Sequence, residues 1–161
     1  MGYYHIAQIC LNGHMINDAY DEYPQHNQNF CDRCGAKTIT TCPKCNTPIR
    51  GDYDTPGICN FDVPPVPSYC YNCGNPYPWT EQKLESAQEL LSMETSLTQD
   101  ELEYFASNMN SILVDTPKTK VVATKLKMTL SKVAPVVGNS LRELLIDICS
   151  EAAKKIIWPN I

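Results

Sequence analysis

Three Cys-x-x-Cys pairs, Cys31–Cys34, Cys42–Cys45 and Cys70–Cys73, follow one another in the first half of the chain. A fourth pair, Cys10 and His14, stands ahead of them within Cys-Leu-Asn-Gly-His. A tight turn between two such residues aims both side chains at one point, and two pairs complete the four N/S ligands of a structural zinc site. Gly35 and Gly74 directly follow the second cysteine of their pairs, and Gly13 directly precedes His14, where a residue in the left-handed region closes the turn. The ligand set read from spacing is therefore Cys10, His14, Cys31, Cys34, Cys42, Cys45, Cys70 and Cys73, holding two Zn2+ per chain. His14 completes a set of three cysteines, which favours it over His5, His26 and Cys59. Cys59 has no partner at metal spacing and is expected to be a small buried apolar side chain.

Sequential pairing places Cys10, His14, Cys31 and Cys34 on one ion and Cys42, Cys45, Cys70 and Cys73 on the other, giving tandem zinc ribbons. Cross-braced pairing would instead make a RING-like module. Gly35 to Thr41 suffices for a short strand from one site into the next, and the tandem arrangement is expected. Iron in a rubredoxin-like site is the alternative metal for a four-cysteine set; nothing else in the chain points to electron transfer. With about 40 residues for each ion, apolar burial alone does not fold such a segment, and the metal supplies much of its stability. Four protein ligands leave no open coordination position, so the metal is expected to be scaffold.

Composition divides the chain at the same place. Eight of nine cysteines, eight of nine tyrosines and nine of twelve prolines precede Trp79. The remainder is rich in Leu, Val, Ala, Lys and Glu. The reading is a double zinc-ribbon domain over residues 1–79 and a helical domain of about four helices over 80–161, α+β overall. Asn46 to Tyr69, with Pro56-Gly57 and Pro64-Pro65-Val66-Pro67, reads as a turn-rich connector. Thr80 reads as a helix cap. Thr98 to Glu101 and Ser140 to Glu143 read as capping boxes, and Thr116-Pro117 as a helix start. Lys118, Lys120, Lys125, Lys127 and Lys132 flank the Val122/Leu126/Thr129/Leu130/Val133 stripe on both sides, a solvated edge rather than an anion site.

The 161 residues carry 13 basic and 18 acidic side chains, net −5. Neither half has the basic excess of a nucleic-acid binder. No secretory signal and no membrane-length apolar run is found, so a cytoplasmic chain with reduced cysteines is expected. No catalytic motif such as G-x-S-x-G, a P-loop or H-E-x-x-H occurs, and no enzyme is expected.

The runs Cys-Leu-Asn-Gly-His, Phe-Cys-Asp-Arg-Cys-Gly-Ala-Lys-Thr-Ile, Cys-Pro-Lys-Cys, Pro-Ile-Arg-Gly and Tyr-Cys-Tyr-Asn-Cys-Gly-x-Pro-Tyr-Pro-Trp-Thr resemble a family of small bacterial zinc-ribbon proteins of unknown function. Asp-Thr-Pro-Lys-Thr at 115–119 and Ser-Glu-Ala-Ala-Lys-Lys at 150–155 extend the resemblance over nearly the whole chain. It implies the same eight ligands and a bacterial cytosolic origin, and it brings no established activity. The expected function is a non-enzymatic adaptor: a metal-held head for recognition and a helical tail that meets a protein partner or a second copy. The broad apolar arc of Ile148, Cys149, Ala152, Ala153, Ile156 and Ile157 motivates the association. The alternative is a nucleic-acid-binding ribbon using Arg33, Lys37, Lys44 and Arg50 with Tyr53 for stacking.

Overall fold

A computed structural model describes residues 1–146 and 148–160. Short strands dominate the beginning, where metal-type turns and, from Pro24 on, prolines interrupt many of the extended stretches. Strand β1 (Tyr3–Ile6) is followed by β2 (Gln8–Cys10), β3 (Met15–Asn17), β4 (Thr38–Ile39) and β5 (Arg50–Asp54). β2 is central in an antiparallel sheet of order β3-β2-β4, with Ile9 opposite Ile39 and Cys10 opposite Thr38. β1 and β5 form a separate antiparallel ribbon with Tyr4 opposite Tyr53.

β5 lies in the stretch read from sequence as a connector. Its Arg-Gly-Asp-Tyr-Asp composition hides it, because no alternating apolar pattern marks a strand so exposed. Gly51 is required there: a Cβ would run into the carbonyl oxygen of Asp18, whose backbone takes the amide of Asp52 at 2.8 Å.

Ala7, Ile9, Cys42, Ile49, Cys70, Tyr77 and Trp79 form the core of this part. Polar side chains pin the long loops over it. Gln8 Nε2 donates to the Gln28 carbonyl at 2.7 Å and its Oε1 accepts from the Gln28 amide at 3.0 Å, fastening β2 to the run that enters Cys31. Buried Asn17 donates to the Tyr23 carbonyl at 2.9 Å and accepts from the Ala19 amide at 3.0 Å.

Six α-helices follow among the described residues: α1 (Pro78–Ser92), α2 (Gln99–Asn108), α3 (Asn110–Leu113), α4 (Thr119–Leu130), α5 (Pro135–Leu145) and α6 (Glu151–Ile157). The chain separates into two compact units, Met1–Glu81 and Gln82–Ile161, and the first turn of α1 belongs to the first of them. In the second unit Leu91, Phe105, Met109, Ile112, Val122, Leu126, Leu141, Leu145, Ala153 and Ile157 are buried. α4 packs on α6, α3 on α4 and α2 on α3.

The Thr98–Glu101 capping box forms as read, the Glu101 amide donating to Thr98 Oγ1 at 3.2 Å and the Thr98 amide to Glu101 Oε2 at 2.9 Å. Other starts differ. α1 begins at Pro78, with the Tyr77 carbonyl taking the amides of Thr80 and Glu81 at 2.9 and 3.0 Å, so Thr80 lies inside the helix. α5 begins at Pro135, and Ser140 sits in its middle with its hydroxyl donating to the Val136 carbonyl at 2.9 Å. A serine with an acid three residues on is a cap only where the backbone before it is extended; here Pro135 had already started the turn. Thr116-Pro117 precedes α4, and Thr119 Oγ1 ties the approach by accepting from the Thr116 amide at 2.7 Å and donating to the Ser111 carbonyl at 2.7 Å. More than four helices result because α2 breaks from α3 at Met109, and α5 from α6, where Ser150 caps the new start by accepting from the Ala153 amide at 3.3 Å.

Candidate metal centres

Each Cys-x-x-Cys turn is built by the same two backbone bonds. The first cysteine's amide donates to the carbonyl five residues on: Cys31 to Ala36 at 2.8 Å, Cys42 to Thr47 at 2.8 Å and Cys70 to Asn75 at 2.9 Å. Its carbonyl accepts from the amide four residues on, from Gly35, Asn46 and Gly74. Those three residues have φ of 71°, 60° and 71°, the left-handed values that let the chain double back. Asn46 fills the place that glycine fills twice, which its short polar side chain permits. In the Cys10/His14 turn Gly13 has φ of 88°, and its amide donates to the Cys10 carbonyl at 2.8 Å.

These turns bring two groups together: Cys10, His14, Cys31 and Cys34 in one, Cys42, Cys45, Cys70 and Cys73 in the other. The grouping is sequential, as tandem ribbons require. Within each group all four ligand-type atoms lie within 4.8 Å of one another. In the first, His14 Nδ1 is 3.5 Å from both Cys10 Sγ and Cys31 Sγ, and Cys10 Sγ is 3.8 Å from Cys34 Sγ. In the second, Cys42 Sγ lies 3.8 Å from Cys73 Sγ and Cys45 Sγ lies 3.7 Å from Cys70 Sγ.

The donor set and its spacing fit a tetrahedral metal ion. Zn–S bonds of about 2.3 Å put neighbouring sulfurs about 3.8 Å apart, and a Zn–N bond of about 2.0 Å puts nitrogen and sulfur about 3.5 Å apart. Both groups could hold a metal ion.

Each group has two buried thiols, joined by half-buried His14 and exposed Cys34 in the first and by half-buried Cys45 and Cys73 in the second. Burial pushes the Cys42 thiol up to about 11 and raises Cys10 as well. The Ala36 amide, with Asn12 Nδ2 3.4 Å from the sulfur, brings Cys34 down to about 6. Thr47, whose Oγ1 is 3.2 Å away, does the same for Cys45, to about 6. Asn72 Nδ2 and Asn75 Nδ2 reach Cys45 and Cys73 at 3.7 and 3.3 Å. The amides of Asn12 and Asn72 stabilise negative sulfur on Cys34 and Cys45, and spacing alone gave no hint of them. The sequence signal of such amides is an asparagine inside or just after a turn: Asn12, Asn72 and Asn75. Tyr77 lies under the second group, and its hydroxyl is raised by burial and then by the charge and hydrogen bond of Cys70.

The remaining candidates have other places. His5 is buried between Asp21 and Glu22, at 3.2 and 3.0 Å. His26 is exposed near the Tyr23 ring. Cys59 is exposed, correcting the expectation of a buried side chain: its apolar neighbours Ile58, Phe61 and Val63 are exposed as well and do not close over it. Arg33, Lys37, Lys44 and Arg50 are all exposed. Among the lysines of α4 and its flanks, Lys132 pairs with Glu101 at 3.0 Å and Lys125 lies 3.8 Å from the Tyr104 ring centroid. Among the described residues no helix is long and apolar enough to cross a membrane.

Two cysteine-rich groups in a small β unit are consistent with a double zinc-ribbon type. No similar curated protein and no similar solved structure is found. The family described as uncharacterized protein conserved in bacteria (DUF2321) matches residues 3–157, and the chain belongs to it.

Proposed function

We propose that the protein is a non-enzymatic double zinc-ribbon module of the cytoplasm, with two structural Zn2+ and a role in protein interaction. One observation carries this reading: all eight ligand-type atoms are taken up in two four-atom groups, which leaves no coordination position for substrate. The ion, when bound, cross-links two turns in each ribbon. Zinc is favoured over iron because the first group contains an imidazole nitrogen and suits the Cys3His pattern of structural zinc.

The interaction role rests on exposed apolar surface. In the helical unit much of the arc that motivated self-association is used internally: Cys149, Ala153 and Ile157 are buried, and Ile148 and Ile156 are half-buried. Met93, Val121, Met128 and Val136 remain exposed, at 56–70 % of their surface. A partner protein or a second copy would cover such side chains. Sedimentation of the zinc-loaded chain tests self-association, and crosslinking in native extract tests a heterologous partner. A monomer that captures no protein would refute the adaptor role.

A second reading, nucleic-acid binding, is favoured by one feature. The Arg50 guanidinium lies 4.6 Å from the Tyr4 ring centroid and 3.8 Å from that of Tyr71, and Tyr4 packs on Tyr53 at 4.8 Å. Such an exposed stack is a surface on which bases could lie. The acidic balance of residues 1–80, four basic against seven acidic side chains, opposes it. Salt-sensitive oligonucleotide binding that Arg50→Ala abolishes would make this the better reading.

A further inference from the structure

Trp79 is not itself a ligand-type residue, yet it shares a core with Cys42 and Cys70 and lies against Gly13 of the Cys10/His14 turn. On one side it lies close against Gly13 of the Cys10/His14 turn. A Cβ on Gly13 would lie 3.0 Å from Trp79 Cβ and 3.1 Å from its Cγ, so a larger residue there would push Trp79 away. Gly13 also needs its positive φ to bring His14 back toward Cys10. The one residue therefore serves the turn and receives the indole.

On the other side Trp79 stacks on Tyr77, with ring centroids 4.8 Å apart and planes at 21°. Tyr77 is buried in one core with Cys42 and Cys70 of the second group. Trp79 Nε1 donates to the Pro67 carbonyl at 2.8 Å, and the next residue, Thr80, donates its hydroxyl to the Ser68 carbonyl at 2.8 Å. Both bonds fasten the run that enters Cys70. Trp79, Tyr77, Cys42 and Cys70 belong to one core, with Ile9 of the strand that ends at Cys10.

We infer that Trp79 is a positioning residue shared by the two candidate metal centres, setting the Cys10/His14 turn against the Cys70 run so that the two ions load and leave together. This rests on the reading that both groups hold zinc. The coupling has a physical basis in packing: a dense interior transmits displacement, whereas two ribbons with separate cores would fill independently. It also accounts for a feature that spacing did not, namely why the start of a helix lies within the metal-binding unit.

The test uses chelator competition on the full chain, zinc-loaded and, in a parallel sample, loaded with Co2+ instead, whose absorption tells a three-sulfur, one-nitrogen site from a four-sulfur site. Wild type should release both ions in one phase. Trp79→Ala should release them in two, the Cys10/His14/Cys31/Cys34 site first and weakened about tenfold, the scale of changes one layer beyond the ligands. Trp79→Phe, which keeps a flat ring, should restore the single phase. Should Trp79→Ala fail to fold, Trp79→Leu fills the core without the ring and decides the same question. Two phases in wild type, or unchanged phases and affinities in the folded Ala or Leu variant, overturn the inference while leaving the zinc reading intact. A wild-type chain that holds no zinc overturns both.

Discussion

At the residue scale, the turn-closing positions separate two reasons for a left-handed backbone. Gly35 has φ of 71° with open space around its missing Cβ, so Gly35→Ala meets only the backbone penalty, about 1–2 kcal/mol. Asn46→Gly at the equivalent place should be neutral or slightly stabilising, since it removes the same penalty. Thermal unfolding of the zinc-loaded chain measures both. The two cysteines outside the groups should also differ. Cys59 is exposed, whereas Cys149 is buried with its thiol pushed up to about 12 by that burial. Thiolate is the reactive form, so alkylation of the metal-loaded native chain should modify Cys59 quickly and Cys149 only on unfolding, as peptide mass mapping would reveal. The ligand-type residues were legible because spacing encodes a turn directly. The exposure of Cys59 was not, because it depends on what lies over residues 55–62.

Among the elements, α2 and α5 show when a local cap signal holds. Thr98 has extended backbone before α2 and makes both bonds of the box, so Thr98→Ala should cost about 1 kcal/mol. Ser140→Ala should be close to neutral, because Ser140 lies within α5 and alanine is the better helix former. Both are read from thermal melts followed by circular dichroism. Glu101 adds a pH dependence. Its carboxyl is held below the usual range by the Thr98 amide and then by Lys132. A lowered folded value means that the contribution is fully present above the ordinary glutamate value of about 4 and is lost as pH falls through the folded one. The advantage of Thr98 and Glu101 over their alanine variants should accordingly shrink in acid. β5 was missed for the opposite reason: its order comes from pairing with β1 and from the Asp18 backbone, both distant in sequence.

For the whole molecule, each compact unit has its own buried residues, and among the described residues both candidate metal centres lie within 1–81. Elemental analysis should find two zinc ions per chain. Chelation should unfold the first unit while most helical circular dichroism survives, because metal binding and folding are linked only there. Helices that melt together with metal loss would refute that independence. By itself, the sequence determined the α+β class and the sequential grouping of the two cysteine-rich sets. Both follow from local geometry, a four-residue turn and a helical apolar period. Tertiary structure alone decided that the connector yields β5 and that the start of α1 packs against the Gly13 turn and the run that enters Cys70. Those outcomes depend on contacts between residues far apart in the chain: Gly51 against Asp18, and Trp79 against Gly13 and Pro67. Side chains meet there only once the fold has brought them together, and no sequence period records such meetings.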